Sequence, residues 1–335
     1  MNERQDCQEQ AFRKLPEQFT IAQTGSSVYS LLRYSLILRS YKKLFSSFCP
    51  FMSIDLHTHS WFSDGTKSPT ELVQLALRSG VSALSITDHD TMDGVSEGLT
   101  AGVEYGIEVV PGLEVSAVHK KKALHILGYY LDPAHPELTA ALSVLQKARD
   151  GRNEKIIHKL QGLGVPATVT ELKEISGYGQ TGRPHIAKLL MKHGLVRSVP
   201  QAFDEYLKKD GKAYVARFAY SAEEAIGLIV RAGGIAVLAH PIQVDKTLTI
   251  LSTLLPVLKS YGLAGIETFY PTQKKKVRQR IRILAEENDL LLTGGSDYHG
   301  DIRPGTRLAG GNNVHVPPEL LDKMKIWLGR QPSIN

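Results

Sequence analysis

Histidine and acidic residues follow several short apolar runs of this 335-residue chain. His57 and His59 come directly after the first run, and Asp297 and His299 come after the last one. Because side chains alternate along an extended strand, the members of each pair point to the same face. Neutral imidazoles and carboxylates are ligands that suit Zn, Mn and Fe. The pattern therefore predicts a site for divalent metal ions.

Three further apolar runs end near a histidine or an acidic residue. The residues concerned are His89, Glu114 and His240. A single histidine at a strand end is more often structural than a ligand, but coincidence at several strand ends favours a shared metal site. A bridging carboxylate such as Glu114 could hold two ions about 3.5 to 4 Å apart. Such a cluster activates water as hydroxide and neutralises phosphoryl oxygens during in-line attack, so no protein nucleophile is needed.

The elements that must position these groups alternate between short apolar runs and helical segments, which is the pattern of an α/β protein with βα units. At the carboxyl ends of barrel strands, side chains that are distant in sequence meet at one rim. We therefore predict an α/β barrel with the metal site at that rim. The apolar runs lie at residues 54–56, 83–86, 108–110, 123–127, 234–239, 265–269 and 290–293.

Helix boundaries are also marked in the sequence. Ser68 with Glu71 and Ser221 with Glu224 have the spacing of capping boxes at helix starts. The strand rhythm disappears between about residues 132 and 219, in a helical stretch with Gly and Pro punctuation. We predict a barrel in two parts, residues 52–131 and 221–330, with an inserted helical lid domain at residues 132–220.

Composition sets broader limits. The formal net charge of +6 suggests an anionic substrate, although it is far below that of dedicated nucleic-acid coats. The two cysteines, Cys7 and Cys49, support neither a disulfide framework nor a Cys-based zinc site. No long apolar run predicts a membrane span, and we expect a cytoplasmic protein. Residues 1–51 are interpreted as a poorly ordered extension or a mis-assigned start, with an organelle transit peptide as the less favoured alternative.

These motifs resemble the PHP (polymerase and histidinol phosphatase) phosphoesterases over residues 52 to about 325. The resemblance rests on five segments, which are Asp55-Leu56-His57-Thr58-His59 with Ser63-Asp64-Gly65, Ile86-Thr87-Asp88-His89-Asp90, Pro111-Gly112-Leu113-Glu114, His240-Pro241 and Gly295-Ser296-Asp297-Tyr298-His299.

The resemblance implies a distorted (β/α)7 barrel with two or three divalent metal ions, Mn favoured over Zn, Fe and Mg. His125 is the least secure of the implied ligands, because its apolar neighbours suit a buried core histidine equally well. Asp88 and Asp90 are expected to orient His89 or to cap a helix. The implied set is complete, which favours an active enzyme. Its members are His57, His59, Asp64, His89, Glu114, His125, His240, Asp297 and His299.

The insertion, with Gly182-Arg183-Pro184-His185, is similar to that of the TrpH/YciV branch of the family. That likeness implies a 3′,5′-nucleoside bisphosphate phosphatase or a 5′-3′ exoribonuclease acting on short 5′-phosphorylated oligonucleotides or RNA ends. The Arg183 guanidinium is suited to gripping phosphate, with local pairing to an acid as the structural alternative. His185 is a candidate to bind substrate and to protonate the leaving oxygen.

Two other functions stay open. One is a phosphatase for a small metabolite such as histidinol phosphate, and the other is a non-catalytic metal-binding regulatory module. Neither a membrane nor a protein partner is indicated. The basic clusters at residues 120–122 and 274–276 are expected to be solvated surface, with phosphate binding as the less favoured alternative.

Overall fold

The computed structural model describes residues 53–177, 179–303, 305–309 and 314–330. The extension expected at residues 1–51 lies outside these residues. None of the described helices is long and apolar enough to span a bilayer.

Strands from both ends of the described chain form one sheet. Seven of them lie in the order β1-β2-β3-β4-β6-β7-β8, and the short β5 pairs with β3. Each of the seven predicted runs overlaps one of these seven strands, so the predicted strand positions are confirmed. The strands are β1 (Ser53–Thr58), β2 (Val81–Ile86), β3 (Glu108–His119), β4 (Lys122–Tyr129), β5 (Tyr220–Ser221), β6 (Ile235–Leu238), β7 (Gly265–Phe269) and β8 (Leu291–Gly294).

Hydrogen bonds join β1 to the segment that follows β8. The His59 amide donates to the Tyr298 carbonyl at 2.9 Å, and the Asp297 amide donates to the His57 carbonyl at 2.8 Å. The sheet thus closes on itself as a distorted barrel. Closure brings the first and last histidine motifs side by side, although about 240 residues separate them in the sequence.

The direction of β4 differs from the expectation of uniformly parallel βα units. β4 runs antiparallel to both of its neighbours, β3 and β6. A tight turn at Lys120 and Lys121, both with positive φ, joins β3 to β4. So short a connection can only form a hairpin, because a parallel partner needs a crossover of a dozen or more residues.

Helices surround the sheet, and the two predicted capping boxes are present at the starts of α1 and α7. The helices are α1 (Pro69–Arg78), α2 (Val95–Tyr105), α3 (Pro136–Gly162), α4 (Val169–Ser176), α5 (Arg183–Lys192), α6 (Val199–Ala202, continued by a π-helical turn at Phe203–Leu207), α7 (Ala222–Arg231), α8 (Pro241–Val244), α9 (Leu251–Ser260), α10 (Lys275–Glu287) and α11 (Glu319–Gly329). A 3₁₀ turn at Gly300–Ile302 follows β8.

The chain between β4 and β5 consists of α3 to α6 and their connections. These helices pack around an apolar cluster of their own that includes Ile157, Leu172 and Leu189. The segment also touches the loop after β1, because the Gln180 amide donates to the Phe62 carbonyl at 3.0 Å. The helical segment is therefore held against the mouth of the barrel, and its role as a lid stays a prediction.

The opposite end of the barrel is covered by α11. Leu320 and Met324 of this helix belong to the same buried cluster as Ile54 and Val237 from the strands. Lys325 of α11 also pairs with Glu108, the first residue of β3, at 2.6 Å. Thus α11 lies across the amino ends of the parallel strands, away from the predicted site.

A hydrogen bond inside the barrel gives a first test. The fully buried Tyr129 donates from its hydroxyl to the Leu56 carbonyl at 2.9 Å, which links β4 to β1. Tyr129→Phe removes only this hydroxyl, so we expect the free energy of unfolding to fall by about 0.5–1.5 kcal/mol in urea titrations. An unchanged free energy of unfolding would show that this bond does not help to close the barrel.

Candidate metal centre

A single buried carboxylate lies at the centre of the site. Glu114, in β3, is fully buried. Imidazoles from five separate positions approach its two oxygens. Oε1 lies 2.7 Å from His125 Nδ1 and 2.8 Å from His240 Nε2, and Oε2 lies 3.0 Å from His89 Nδ1, 3.3 Å from His59 Nε2 and 3.4 Å from His57 Nε2.

The strand register explains this convergence. His57 lies in β1 and His59 directly follows it. His89, after β2, forms an isolated parallel bridge with Glu114. In the hairpin, His125 of β4 stands opposite Ser116, two residues beyond Glu114 on β3. The predicted meeting of strand ends at one rim therefore describes the arrangement seen here.

Two more carboxylates extend the cluster. Asp64 Oδ1 lies 3.2 Å from His299 Nε2, and Asp297 Oδ1 lies 3.2 Å from His59 Nε2. The structure thus brings together all nine residues that the family pattern indicates. They form four overlapping groups, each with donor atoms within 4.8 Å of one another, which are His59-Asp64-His89-His299, His57-His59-Glu114, His57-His240-Asp297 and His89-Glu114-His125.

Several buried donor atoms of the cluster have no hydrogen-bond partner within the described part of the chain. They include the Nε2 atoms of His57, His59 and His299, together with Asp64 Oδ1 and Glu114 Oε2. Leaving one such atom unpaired costs about 1–3 kcal/mol. The unpaired atoms converge on one pocket and are nitrogen and oxygen donors, so the residues present fit divalent metal ions.

The charge states of the cluster agree with this fit. Burial raises the pKa of Glu114, but His125, His89 and His57 oppose it and hold that pKa well below its ordinary value. Burial lowers the pKa of His59, but Asp297 and Glu114 outweigh it and raise that pKa to about 9. The carboxylate is therefore ionised at neutral pH, and an incoming cation would compete with protons held on the imidazoles.

Glu267 is a site residue that the sequence interpretation missed. It is fully buried in β7. Its Oε1 lies 2.9 Å from His57 Nδ1, and its Oε2 accepts a 2.6 Å hydrogen bond from the His240 amide. This carboxylate orients His57 with Nε2 toward Glu114, as carboxylates do behind metal-binding histidines. The signal was present, since Glu267 is a lone acid within the apolar run of residues 265–269.

Three other aspartates hold the loops rather than the cluster itself. Asp55 accepts from the Ser296 and Ala309 amides at 2.9 and 2.7 Å, and so ties β1 to the segment after β8. Asp88 accepts from the Ser60 amide at 2.7 Å, and Asp90 from the Ser116 amide at 2.7 Å.

The expectation that Asp88 and Asp90 orient His89 is not matched by these contacts. In the described residues, neither carboxylate is hydrogen-bonded to the His89 ring. Each instead fixes the backbone of a neighbouring strand end. Their positions in the sequence next to His89 did not reveal this, because the bonds cross to other loops.

Backbone strain is concentrated at the rim. Asp90, His240 and Asp297 all have positive φ, at 55°, 24° and 52°. Such conformations cost about 1–3 kcal/mol at residues other than glycine and persist where the surroundings impose them. At His240 and Asp297 the bent backbone turns a side chain into the cluster, which is consistent with a site selected for its geometry.

A group of arginines borders the histidines, and of its members the sequence interpretation had indicated Arg183 alone. Arg217 Nη1 donates to Ser116 Oγ at 3.1 Å and lies 3.4 Å from His125 Nε2. Arg149 pairs with Asp90. Burial lowers the pKa of Arg152 to about 10, with Arg183, Arg149 and Arg217 adding to the effect. We call Arg149, Arg152, Arg183 and Arg217 the arginine cluster.

The two residues predicted from the insertion lie at the edge of the site. The Arg183 side chain donates to the Leu207 carbonyl at 3.4 Å and stacks over Phe203. His185 is buried, and its Nδ1 accepts from the Gly182 amide at 3.0 Å. Burial lowers the pKa of His185 to about 4 despite the opposing influence of Asp64. Within the described residues, neither side chain is hydrogen-bonded to the nine-residue cluster.

A family model for the PHP domain matches residues 55–236. The chain belongs to the PHP domain family. A 5′-3′ exoribonuclease from Haemophilus influenzae is 38% identical over 73% of this chain and 89% of its own length. A 3′,5′-nucleoside bisphosphate phosphatase from Chromobacterium violaceum is 31% identical over 79% of this chain and 93% of its own length.

A solved structure from Bifidobacterium adolescentis, assigned as a metal-dependent phosphoesterase, has the same fold. It superposes with a TM-score of 0.75 at 29% identity, over 82% of this chain and 96% of its own length. The resemblance drawn from the sequence motifs and the fold class is thereby confirmed. This PHP protein is a metal-dependent phosphoesterase, and therefore a hydrolase of phosphate esters.

Glu114→Gln tests the central carboxylate, because it keeps the shape of the side chain and removes its charge. We expect the variant to lose most of the Mn²⁺ retained by the wild type after dialysis, measured by elemental analysis, and most phosphoesterase activity. Glu137→Gln is the matched control, since Glu137 pairs with Arg231 on the exposed surface. Full Mn²⁺ retention by Glu114→Gln would rule out a central role for this carboxylate.

Proposed function

We propose that this phosphoesterase acts on nucleotides that carry a second phosphate. The substrates would be 3′,5′-nucleoside bisphosphates such as pAp and short 5′-phosphorylated oligonucleotides or RNA ends, the latter by 5′-3′ exoribonuclease activity. The names of the two relatives support this substrate class. The observation that carries the proposal within this chain is the arginine cluster beside the histidines.

The arginine cluster carries more positive charge than its acidic partners neutralise. Among the described ion pairs, Arg149 bonds a carboxylate, that of Asp90, whereas no such pair involves Arg152, Arg183 or Arg217. Partly buried guanidiniums repel one another. Burial is the main reason why the pKa values of Arg183 and Arg217 are lowered, and neighbouring arginines lower both of them further. Guanidinium groups match phosphate with paired donors, so a phosphate bound here would relieve the repulsion.

The arginine cluster adjoins the histidines, which suits a nucleotide with two phosphates. Arg217 touches His125, so a phosphate held by the arginines lies next to the phosphate ester at the histidines. A substrate with a single phosphate gains nothing from the arginines. We therefore assign the arginine cluster to the phosphate that is not hydrolysed.

The metal ions would be held by the nine-residue cluster, with Glu114 between neighbouring positions. We propose two or three divalent ions, with Mn²⁺ favoured. When bound, such ions supply the activation of water and the neutralisation of charge that phosphate-ester hydrolysis requires. Glu267 and Asp55 hold the first histidine motif in place for this task. The insertion, by packing against the loop after β1, would limit the access of bulk water.

His185 fits a neutral hydrogen-bond donor better than an acid. Its Nδ1 accepts from the Gly182 amide, so the neutral ring carries its proton on Nε2 and can donate it to a phosphate oxygen. With its pKa lowered to about 4, the ring has no extra proton to give near neutrality. We propose that His185 binds substrate, and we retain acid catalysis as the alternative from the sequence.

The arginine cluster can be tested by single substitutions. We expect Arg217→Ala and Arg183→Ala to lower kcat/KM for pAp about 10- to 100-fold, mainly through KM, because each removes a charged hydrogen bond worth about 1.5–3 kcal/mol. Hydrolysis of p-nitrophenyl phosphate, which has one phosphate, should change little. Arg197→Ala is the control, since Arg197 is an exposed arginine of the insertion.

Equal losses on both substrates would contradict the assignment of the second phosphate to these arginines. The same assays separate the remaining functions. A small-metabolite phosphatase would prefer histidinol phosphate to pAp, and a regulatory module would hydrolyse neither. For any of the enzymatic functions, His57→Ala should abolish turnover.

The role of His185 can be tested by the pH profile of the enzyme. The folded pKa of about 4 lies below the ordinary value, so the ring stays neutral from pH 5.5 upward and contributes no ionisation there. We expect His185→Gln, which keeps a donor, to lower kcat/KM for pAp while leaving the shape of its pH profile between 5.5 and 9 unchanged. Loss of the alkaline limb in the variant would instead identify His185 as the general acid.

A further inference from the structure

A dense run of positive charge begins at the N-cap of α10. Six of the nine residues at 274–282 are basic and none is acidic, and this number equals the net charge of the whole chain. They are Lys274, Lys275, Lys276, Arg278, Arg280 and Arg282.

These side chains are without acidic partners in the part of the chain that the structure describes. The ion pairs found there include none of the six, and Arg282 instead lies over the Phe269 ring at 5.3 Å. The three lysines are exposed, and so is Arg280. The positive charge of this surface is therefore available to a ligand.

The arrangement is unfavourable for the isolated helix. The first turn of a helix favours acids, because the helix dipole is positive there, yet α10 has no acid in its first turn. Lys274, Arg278 and Arg282 are also spaced four residues apart, so like charges are neighbours on one face. A polyanion lying on this surface would reverse both penalties.

The helix start lies at the mouth of the site. α10 follows β7, and in the connection Tyr270 donates from its hydroxyl to Asp297 Oδ2 at 2.7 Å. The Gln273 amide in turn donates to the Tyr270 carbonyl at 3.0 Å. Lys274 is thus the next residue after a loop that contacts the metal centre directly.

Gln273 is a second indication of a ligand. Its side chain is only 2% exposed, and neither of its amide atoms has a hydrogen-bond partner in the described residues. A buried side-chain amide with unmet donors and acceptors costs free energy. It lies directly beside the lysines, at the junction between them and the site.

We infer that Lys274, Lys275, Lys276, Arg278 and Arg280, the basic rim, bind the sugar–phosphate backbone of a single-stranded RNA chain beyond the nucleotide at the metal centre. This inference rests on the proposed function and names where a longer substrate lies. Lysine and arginine contacts to phosphates carry no sequence information. The basic rim therefore selects for chain length rather than for base identity.

The test compares a long and a short substrate. In Lys274→Ala/Lys275→Ala/Lys276→Ala, we expect kcat/KM for a 5′-phosphorylated RNA 10-mer to fall about tenfold or more, with pAp unchanged. Losing about three phosphate contacts should also lower the slope of log affinity against log salt by about 2, at about 0.7 per phosphate for single strands. The matched control is Lys323→Ala/Lys325→Ala/Arg330→Ala, which removes three positive charges from α11 and its C-cap at the other end of the barrel.

Binding is measured separately from turnover. In a His57→Ala background, which leaves the RNA intact, fluorescence anisotropy with the labelled 10-mer should show weaker binding for the lysine triple variant and not for the α11 control. Equal binding of the 10-mer by both variants, or equal losses on the 10-mer and pAp, would overturn the inference. If the wild type hydrolyses neither substrate but the lysine triple still loses RNA binding, the proposed function fails and the basic rim stands.

Discussion

The whole site depends on one buried carboxylate, Glu114, which five imidazoles surround. An isolated carboxylate in such a position would be strongly disfavoured, since burial penalises its charge. The histidines offset that penalty and keep the group ionised, as its lowered pKa shows. Four of these imidazoles, those of His57, His59, His89 and His240, each have a ring nitrogen without a hydrogen-bond partner among the described residues. Divalent ions would complete this arrangement, because they would supply positive charge to both the carboxylates and the unpaired ring nitrogens.

The closure of the barrel and the direction of its strands position this cluster. Closure between β1 and the segment after β8 places His57 and Asp297 together, and Asp55 fixes that junction by accepting hydrogen bonds from two amides of that segment. The antiparallel β4 has an equally specific effect. Within the hairpin, His125 on β4 reaches Glu114 on β3 and lies next to Arg217. A parallel strand at this position would need a crossover connection of about a dozen residues or more in place of the tight turn.

The sequence was sufficient for the strands and for the clustered residues at strand ends, because apolar runs and helix caps are local signals and strand ends must share a rim. Asp64 and His125 were indicated by the family resemblance alone. The sequence was insufficient where the answer depends on a distant partner. His125 has the neighbours of a core residue, and only the register opposite Ser116 turns it toward the cluster. Glu267 looked like part of an apolar run until His57 was placed beside it. Arg149 and Arg217 are 68 residues apart in sequence, so only the folding of the insertion brings them into one cluster.

Charged groups of different chemistry lie in different parts of the site. Carboxylates and imidazoles form the candidate metal centre. The arginine cluster adjoins it through Arg217 and His125, and the loop before α10 adjoins it through Tyr270 and Asp297. Both basic groups would attract a nucleotide phosphate, whereas the carboxylates would repel it unless cations intervene. Under the proposed function, metal binding and substrate binding would therefore be coupled, because each removes a repulsion that opposes the other. The role inferred for the basic rim would extend this attraction along the chain of a longer RNA.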